Sequence, residues 1–147
     1  MNKILVFIFC VCMSCSKEGL NGKNILDKID NEVWTRGNNY KVFKNNPFRL
    51  IIVEDGVCLE FSESPKTIDG NEFQYTILEN GQDTLRLGYS VTGSKVNHKG
   101  TFTYYIDLSG ELIRNYEETN AFYPESYTTN FYRADESLSV LCPNLKH

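Results

Sequence analysis

The stretch TLRLGYSV, residues 84–91, places Leu85, Leu87, Tyr89 and Val91 on one face and Thr84, Arg86, Gly88 and Ser90 on the other. Successive side chains of an extended chain point to opposite sides, so this alternation describes a strand with one buried and one wet face. The same period of two recurs in TFTYYIDL (101–108), with Phe102, Tyr104, Ile106 and Leu108 inward. It recurs again in EFQYTILE (72–79), with Phe73, Tyr75 and Ile77 inward. FRLIIVE (48–54) is apolar on both faces and is expected to form a central or doubly covered strand.

Between these runs, EDGV (54–57), ENGQ (79–82) and LSGE (108–111) each offer a glycine where a tight reversal needs positive φ. Consecutive strands should therefore pair with their neighbours. The expected fold is all-β: an antiparallel up-and-down meander of eight to ten strands closing as a barrel, with a β-sandwich as the alternative. Closure would remove exposed strand edges. Ahead of the strands, Asn24 can cap a short helix with Ile25, Leu26 and Ile29 on one side, although so short a helix is marginal without tertiary support.

The chain starts with one lysine, Lys3, and an unbroken apolar run from Ile4 to Met13. Ten helical residues cover only about 15 Å, roughly half the hydrocarbon core of a bilayer, so the run reads as the core of a secretory signal. Of the three cysteines in CVCMSC (10–15), only Cys15 follows a small residue, Ser14, as signal cleavage requires. The tripeptide Met13-Ser14-Cys15 behind an apolar run resembles the lipobox of bacterial lipoproteins, with Cys12 and Met13 standing where Leu and Ala or Ser are common. The resemblance implies a lipid on Cys15, which becomes the first mature residue, and an anchor in the outer membrane facing the periplasm or the cell surface. SKEG (16–19) is similar to the surface-export signal of Bacteroidetes lipoproteins. Two or three acyl chains anchor stably, at about 0.8 kcal/mol per buried methylene. A metal or redox cluster is the competing reading of CVCMSC, but two of its thiols lie in the apolar run and no histidine stands near.

The expected organisation is thus a signal peptide over 1–14, a lipidated tether over 15–23 and one β domain over 24–147. Loss of the signal removes Lys3 and leaves 14 basic and 19 acidic side chains, with no basic stripe for nucleic acid. In an exported setting Cys58 and Cys142 can pair, closing a loop worth roughly 4 kcal/mol in the chain-entropy model; two separate thiols are the alternative. In VCLEF, Cys58 alternates onto the face of Glu60, whereas in LSVLC, Cys142 falls with Leu138 and Val140, so a strand end or bulge is expected to reconcile them. The short helical turn, Trp34 at the first strand and the meander of hairpins are similar to small lipocalin-like lipoproteins of Bacteroidetes, though Glu32 stands where lipocalins carry glycine. That resemblance implies an eight-stranded barrel whose mouth binds a small apolar ligand.

Marks of catalysis are sparse. The two histidines, His98 and His147, cannot supply a three-histidine metal site, and no Gly-x-Ser-x-Gly elbow or phosphate-cradling glycine loop occurs. His98, beside Lys95 and Lys99, is expected in a solvated loop, and Glu117, Glu118 and Glu125 on a solvated surface. Cys58 and Cys142 have no neighbouring histidine to activate them. No catalytic residue, metal or cofactor is assigned.

Aromatics stand out instead: seven of nine tyrosines lie after residue 88, and the polar segment 114–136 carries Tyr116, Phe122, Tyr123, Tyr127, Phe131 and Tyr132. Tyr127 and Phe131 share a strand face and are expected in the core. Phe122 and Tyr123 precede Pro124 in a polar loop; with Tyr116 they are the candidate binding residues, the alternative being that the loop covers a barrel end. The expected function is a non-catalytic, lipid-anchored envelope protein that binds a small apolar molecule, a glycan or a protein. A structural or inhibitory, immunity-type protein-interaction role is the alternative. A cavity would favour a small molecule, a filled interior a protein partner, and a cleft holding a strongly perturbed titratable group an enzyme.

Overall fold

The computed structural model of the protein describes residues 23–119 and 125–145. The expected signal, the lipidation site Cys15 and the loop aromatics Phe122 and Tyr123 lie outside the described residues. A short helix α1 (Ile25–Ile29) precedes ten strands: β1 (Val33–Arg36), β2 (Asn39–Lys44), β3 (Arg49–Glu54), β4 (Val57–Phe61), β5 (Lys66–Ile68), β6 (Asn71–Asn80), β7 (Leu85–Thr92), β8 (Asn97–Ile106), β9 (Leu112–Glu118) and β10 (Ser126–Arg133). A one-turn helix α2 (Leu138–Leu141) follows.

All ladders between the strands are antiparallel, and the sheet runs β4-β3-β2-β1-β10-β9-β8-β7-β6-β5. The first and last strands pair, Trp34 opposite Arg133, which curls the meander into a nearly closed barrel and settles barrel against sandwich. Its two edges are β4 and β5, consecutive in sequence but without a ladder between them among the described residues. Phe61 of β4 packs against Phe73 and Tyr75 of β6 across this seam, with ring centroids 6.0 and 5.1 Å apart.

Asp55 (φ 49°) and Gly56 (φ 76°) turn β3 into β4 with two left-handed residues, the backbone that matches the strand twist. Asp69 and Gly70 do the same between β5 and β6. Gly110 (φ 85°) turns at the third expected site, while Leu108 beside it is fully exposed rather than inward, because the strand has already ended at Ile106. Gly81 departs from expectation: its φ is not positive, and its carbonyl accepts the amide of Ile25 at 2.8 Å.

That bond is one of several that seat α1. A helix begins with amides that have no partner inside it. Here Ile25 N donates to Gly81 O, Leu26 N to Asn80 Oδ1 and Asp27 N to the capping Asn24 side chain. Ile25, Leu26 and Ile29 are fully buried, so α1 plugs one end of the barrel. Around it Trp34, Phe43, Leu50, Leu85, Leu87, Tyr104, Leu112 and Phe131 fill that half of the interior.

A second apolar cluster lies outside the barrel. Val33, Val42, Ile51 and Val53 face outward from β1, β2 and β3, and Leu138, Leu141, Cys142 and Leu145 cover them. This is why FRLIIVE is apolar on both faces: Leu50 and Ile52 face in, Ile51 and Val53 face α2. The alternation argument for Cys142 is overturned by the same element. The segment 138–141 is a helical turn, so Val140 projects into solvent while Leu138, Leu141 and Cys142 pack down. The sulfurs of Cys58 and Cys142 stand 2.01 Å apart, a disulfide distance, reached from a strand's outer face without a bulge in β4.

Candidate functional site

Opposite α1 the interior is not filled. A cavity of about 410 Å³ opens where β3 and β9 end and β8 and β10 begin. One wall is a ribbon of rings contributed strand by strand. Tyr75 of β6 meets Tyr89 of β7 at 5.1 Å, Tyr89 meets Phe102 of β8 at 5.3 Å, Phe102 meets Tyr116 of β9 at 4.9 Å, and Tyr116 meets Tyr127 of β10 at 5.0 Å. The period of two brings each ring inward, and the register does the rest by setting Tyr75 opposite Tyr89, and Tyr116 opposite both Phe102 and Tyr127. Gly100 makes room for the ribbon: a Cβ there would stand 2.6 Å from Tyr116 Cε2 and 2.8 Å from the Glu117 carbonyl oxygen. Burial pushes the hydroxyls of Tyr75, Tyr89, Tyr104 and Tyr116 above their ordinary acidity range, Tyr104 to about 12, so the wall stays neutral at physiological pH.

The facing wall and floor carry two cations. Lys41 of β2 is only 7% exposed and lines the cavity with Ile52. It has no hydrogen-bond or ion-pair partner among the described residues, and its ammonium lies 5.6 Å from the centre of the Phe131 ring. Burial, reinforced by the neighbouring charge of Arg114 and opposed by Glu54, brings its pKa down to about 7. The Arg114 guanidinium of β9 is wedged among the rings of Phe102, Tyr127 and Phe131 at 5.2–5.5 Å and donates to Thr129 Oγ1 at 3.2 Å. Its Nε is buried with no hydrogen-bond partner among the described residues.

The rim is acidic. Glu54 and Glu125 are exposed there, whereas the Glu118 side chain is almost fully buried and bonds His98 Nδ1 at 2.7 Å. His98, Glu117 and Glu125 are exposed as expected, but Glu118 is not, and the expected loops are strands. His98 belongs to β8 and Glu117 and Glu118 to β9, and the inward phase of both strands turns His98 and Glu118 toward one another.

Of the candidate binding residues, Tyr116 lines the cavity and Phe122 and Tyr123 are not among the described residues. Tyr127, expected in the core, is 44% exposed at the mouth, and Phe131 is buried. Sequence reasoning missed Lys41 and Arg114. Their signal was phase: Lys41 alternates with Phe43, and Arg114 with Leu112 and Tyr116, so each is a charge on a face that is otherwise apolar.

A second hollow, of about 520 Å³, lies beside the β4–β5 seam. Its charges are already engaged, Arg49 with Glu60 at 3.0 Å and Lys66 Nζ with the Glu60 carbonyl at 2.9 Å. Among the described residues no group of His, Cys, Asp and Glu gathers to hold a metal ion, and no helix is long and apolar enough to cross a membrane. No family model, curated protein or solved structure matches the chain.

Proposed function

We propose that the protein is a lipid-anchored binding protein of the cell envelope that holds a small molecule in the open half of its barrel. One observation carries the small-molecule part: the barrel is packed solid around α1, yet keeps an aromatic-walled cavity of about 410 Å³ at the other end. Pockets for small ligands have this size, and here five tyrosines, Phe102 and Ile52 share the lining with six charged or titratable side chains that can fix a ligand's orientation. A barrel serving only as a rigid platform for a protein partner would gain stability by filling that space. The anchor rests on the lipobox-like Met13-Ser14-Cys15.

Two measurements on the exported, full-length protein test the two halves. Cys15→Ser is expected to move it from the membrane to the soluble exported fraction; continued membrane association refutes the anchor. Native mass spectrometry of protein purified from its own envelope is expected to reveal a bound small molecule that is absent from Ile52→Trp, in which the indole occupies the cavity. Identical spectra for both proteins refute the cavity as the binding site.

A second reading is favoured by Lys41 itself, since an amine with a pKa of about 7 in a cavity meets the requirement set for an enzyme. In that reading the Lys41 nitrogen bonds to a substrate carbonyl carbon and the oxygen leaves as water, forming an imine. Borohydride added with pyruvate would deliver hydride to the imine carbon and leave a stable secondary amine on Lys41. An unmodified Lys41 after this treatment disposes of that chemistry for a 2-keto acid.

A further inference from the structure

We infer that the cavity takes an organic anion, its carboxylate or equivalent group held between Lys41 Nζ and the Arg114 guanidinium and its apolar body laid along the ring ribbon. This inference rests on the small-molecule reading above and adds the chemical class of the ligand.

The argument is one of unmatched charge. Lys41 and Arg114 face the same cavity, and both also line a smaller adjoining hollow of about 160 Å³. Arg114 lies close enough that its charge disfavours the charged form of Lys41. Neither forms an ion pair among the described residues. Arg114 is steadied by neutral hydroxyls, those of Thr129 and Tyr104, and by the faces of three rings. The acids nearby answer this charge only in part: Glu54 lines both hollows and favours the Lys41 charge without forming an ion pair with it, Glu125 is exposed at the rim, and Glu118 is engaged by His98. A buried cation without a counter-ion costs free energy, and two side by side cost more. An anion placed between them satisfies the Lys41 ammonium, takes donors from the arginine fork and offsets the repulsion between the two cations.

The groups facing Lys41 give this binding a second signature. Arg114 disfavours its protonation and Glu54 favours it, and an incoming anion would favour it further. Binding at pH 8 should therefore draw a proton from the buffer onto Lys41.

The test uses a matched pair of fluorescent probes, 2-naphthoate and the isosteric neutral 2-naphthamide, titrated into the purified full-length chain. Naphthoate is expected to bind at least about tenfold more tightly, and that preference to vanish in Lys41→Met and in Arg114→Met while naphthamide binding persists. Lys41→Arg should retain the preference. Calorimetry of naphthoate at pH 8 in HEPES and in Tris should give different apparent enthalpies for the native chain and equal ones for Lys41→Met. Equal affinity for the two probes overturns the anion assignment and leaves the small-molecule reading standing. Failure of both probes to bind overturns the cavity reading along with it.

Discussion

Replacing Lys41 with methionine stabilises the protein, and does so most at neutral and acidic pH. The amine titrates at about 7 in the fold against 10.5 for an unhindered lysine. A basic group whose pKa is lowered by folding penalises the folded state. The penalty is complete below pH 7, where both states bind the proton, and it disappears as pH rises toward 10.5, where neither does. Between those limits the unfolded chain binds the extra proton, so stability rises with pH by about 1.4 kcal/mol per unit. From pH 6 to pH 9.5 the native protein should thus gain roughly 3 kcal/mol from this group. Lys41→Met removes the slope and, by replacing a buried charge with an apolar side chain of similar length, should be more stable at pH 6 by about 2 to 4 kcal/mol. Urea unfolding at pH 6, 7.5 and 9 reads this directly. The window stops short of the buried tyrosines, whose raised pKa values act in the opposite sense above pH 10. Parallel pH profiles for the two proteins would show that Lys41 keeps its charge unhindered. A ligand anion would flatten the native slope as well, so protein freed of ligand is the appropriate sample.

The Cys58→Ser, Cys142→Ser double variant is expected to lose roughly 4 to 5 kcal/mol, the loop-closure entropy of a bridge spanning 84 residues. At this chain length that corresponds to a fall in Tm of the order of 15 °C. The loss has a structural address. Among the described residues α2 and its flanks, from Ala134 to Leu145, cover Val33, Val42, Ile51 and Val53 together with Tyr40 and Cys58, and a four-residue helix has no stability of its own. Without the bridge, α2 and its flanks are held by the apolar contacts of Ala134, Leu138, Leu141 and Leu145, and their release would expose the outer face of β1–β3. Reduction of the native protein should reproduce the effect and increase the binding of a dye that reports exposed apolar surface. A change below about 1 kcal/mol in both experiments would mean that the two thiols are not bonded in solution.

The architecture was legible because its determinants are local. TLRLGYSV, TFTYYIDL and EFQYTILE each carry the period of a half-buried strand, and Asp55-Gly56 carries the turn that pairs its neighbours. The C-terminal turn was not legible, since in SLSVL alternation and a single helical turn are indistinguishable over so few residues. In the site, Tyr116 was found by aromatic density alone. Lys41 with Arg114, and His98 with Glu118, are neighbours only through strand register, which alternation does not specify across distant strands. A charge in inward phase looks like an imperfection in a strand until the facing side chains are known to be absent.

The ladder between β1 and β10 sets the order in which this chain can fold. Trp34 pairs with Arg133, so the strand that begins the barrel waits for the strand that ends it. Hairpins such as β6–β7 and β7–β8 can form early from neighbouring residues, but β1 has one local partner, β2, until nearly the whole sequence is available. Closure therefore belongs late in folding, among the high-separation contacts that make all-β chains slow. Until then the inward ring ribbon of β6–β10 lies open. A chain truncated before β10 would retain hairpins, expose those rings and offer β1 and β9 as free edges, the combination that favours self-association over a folded monomer.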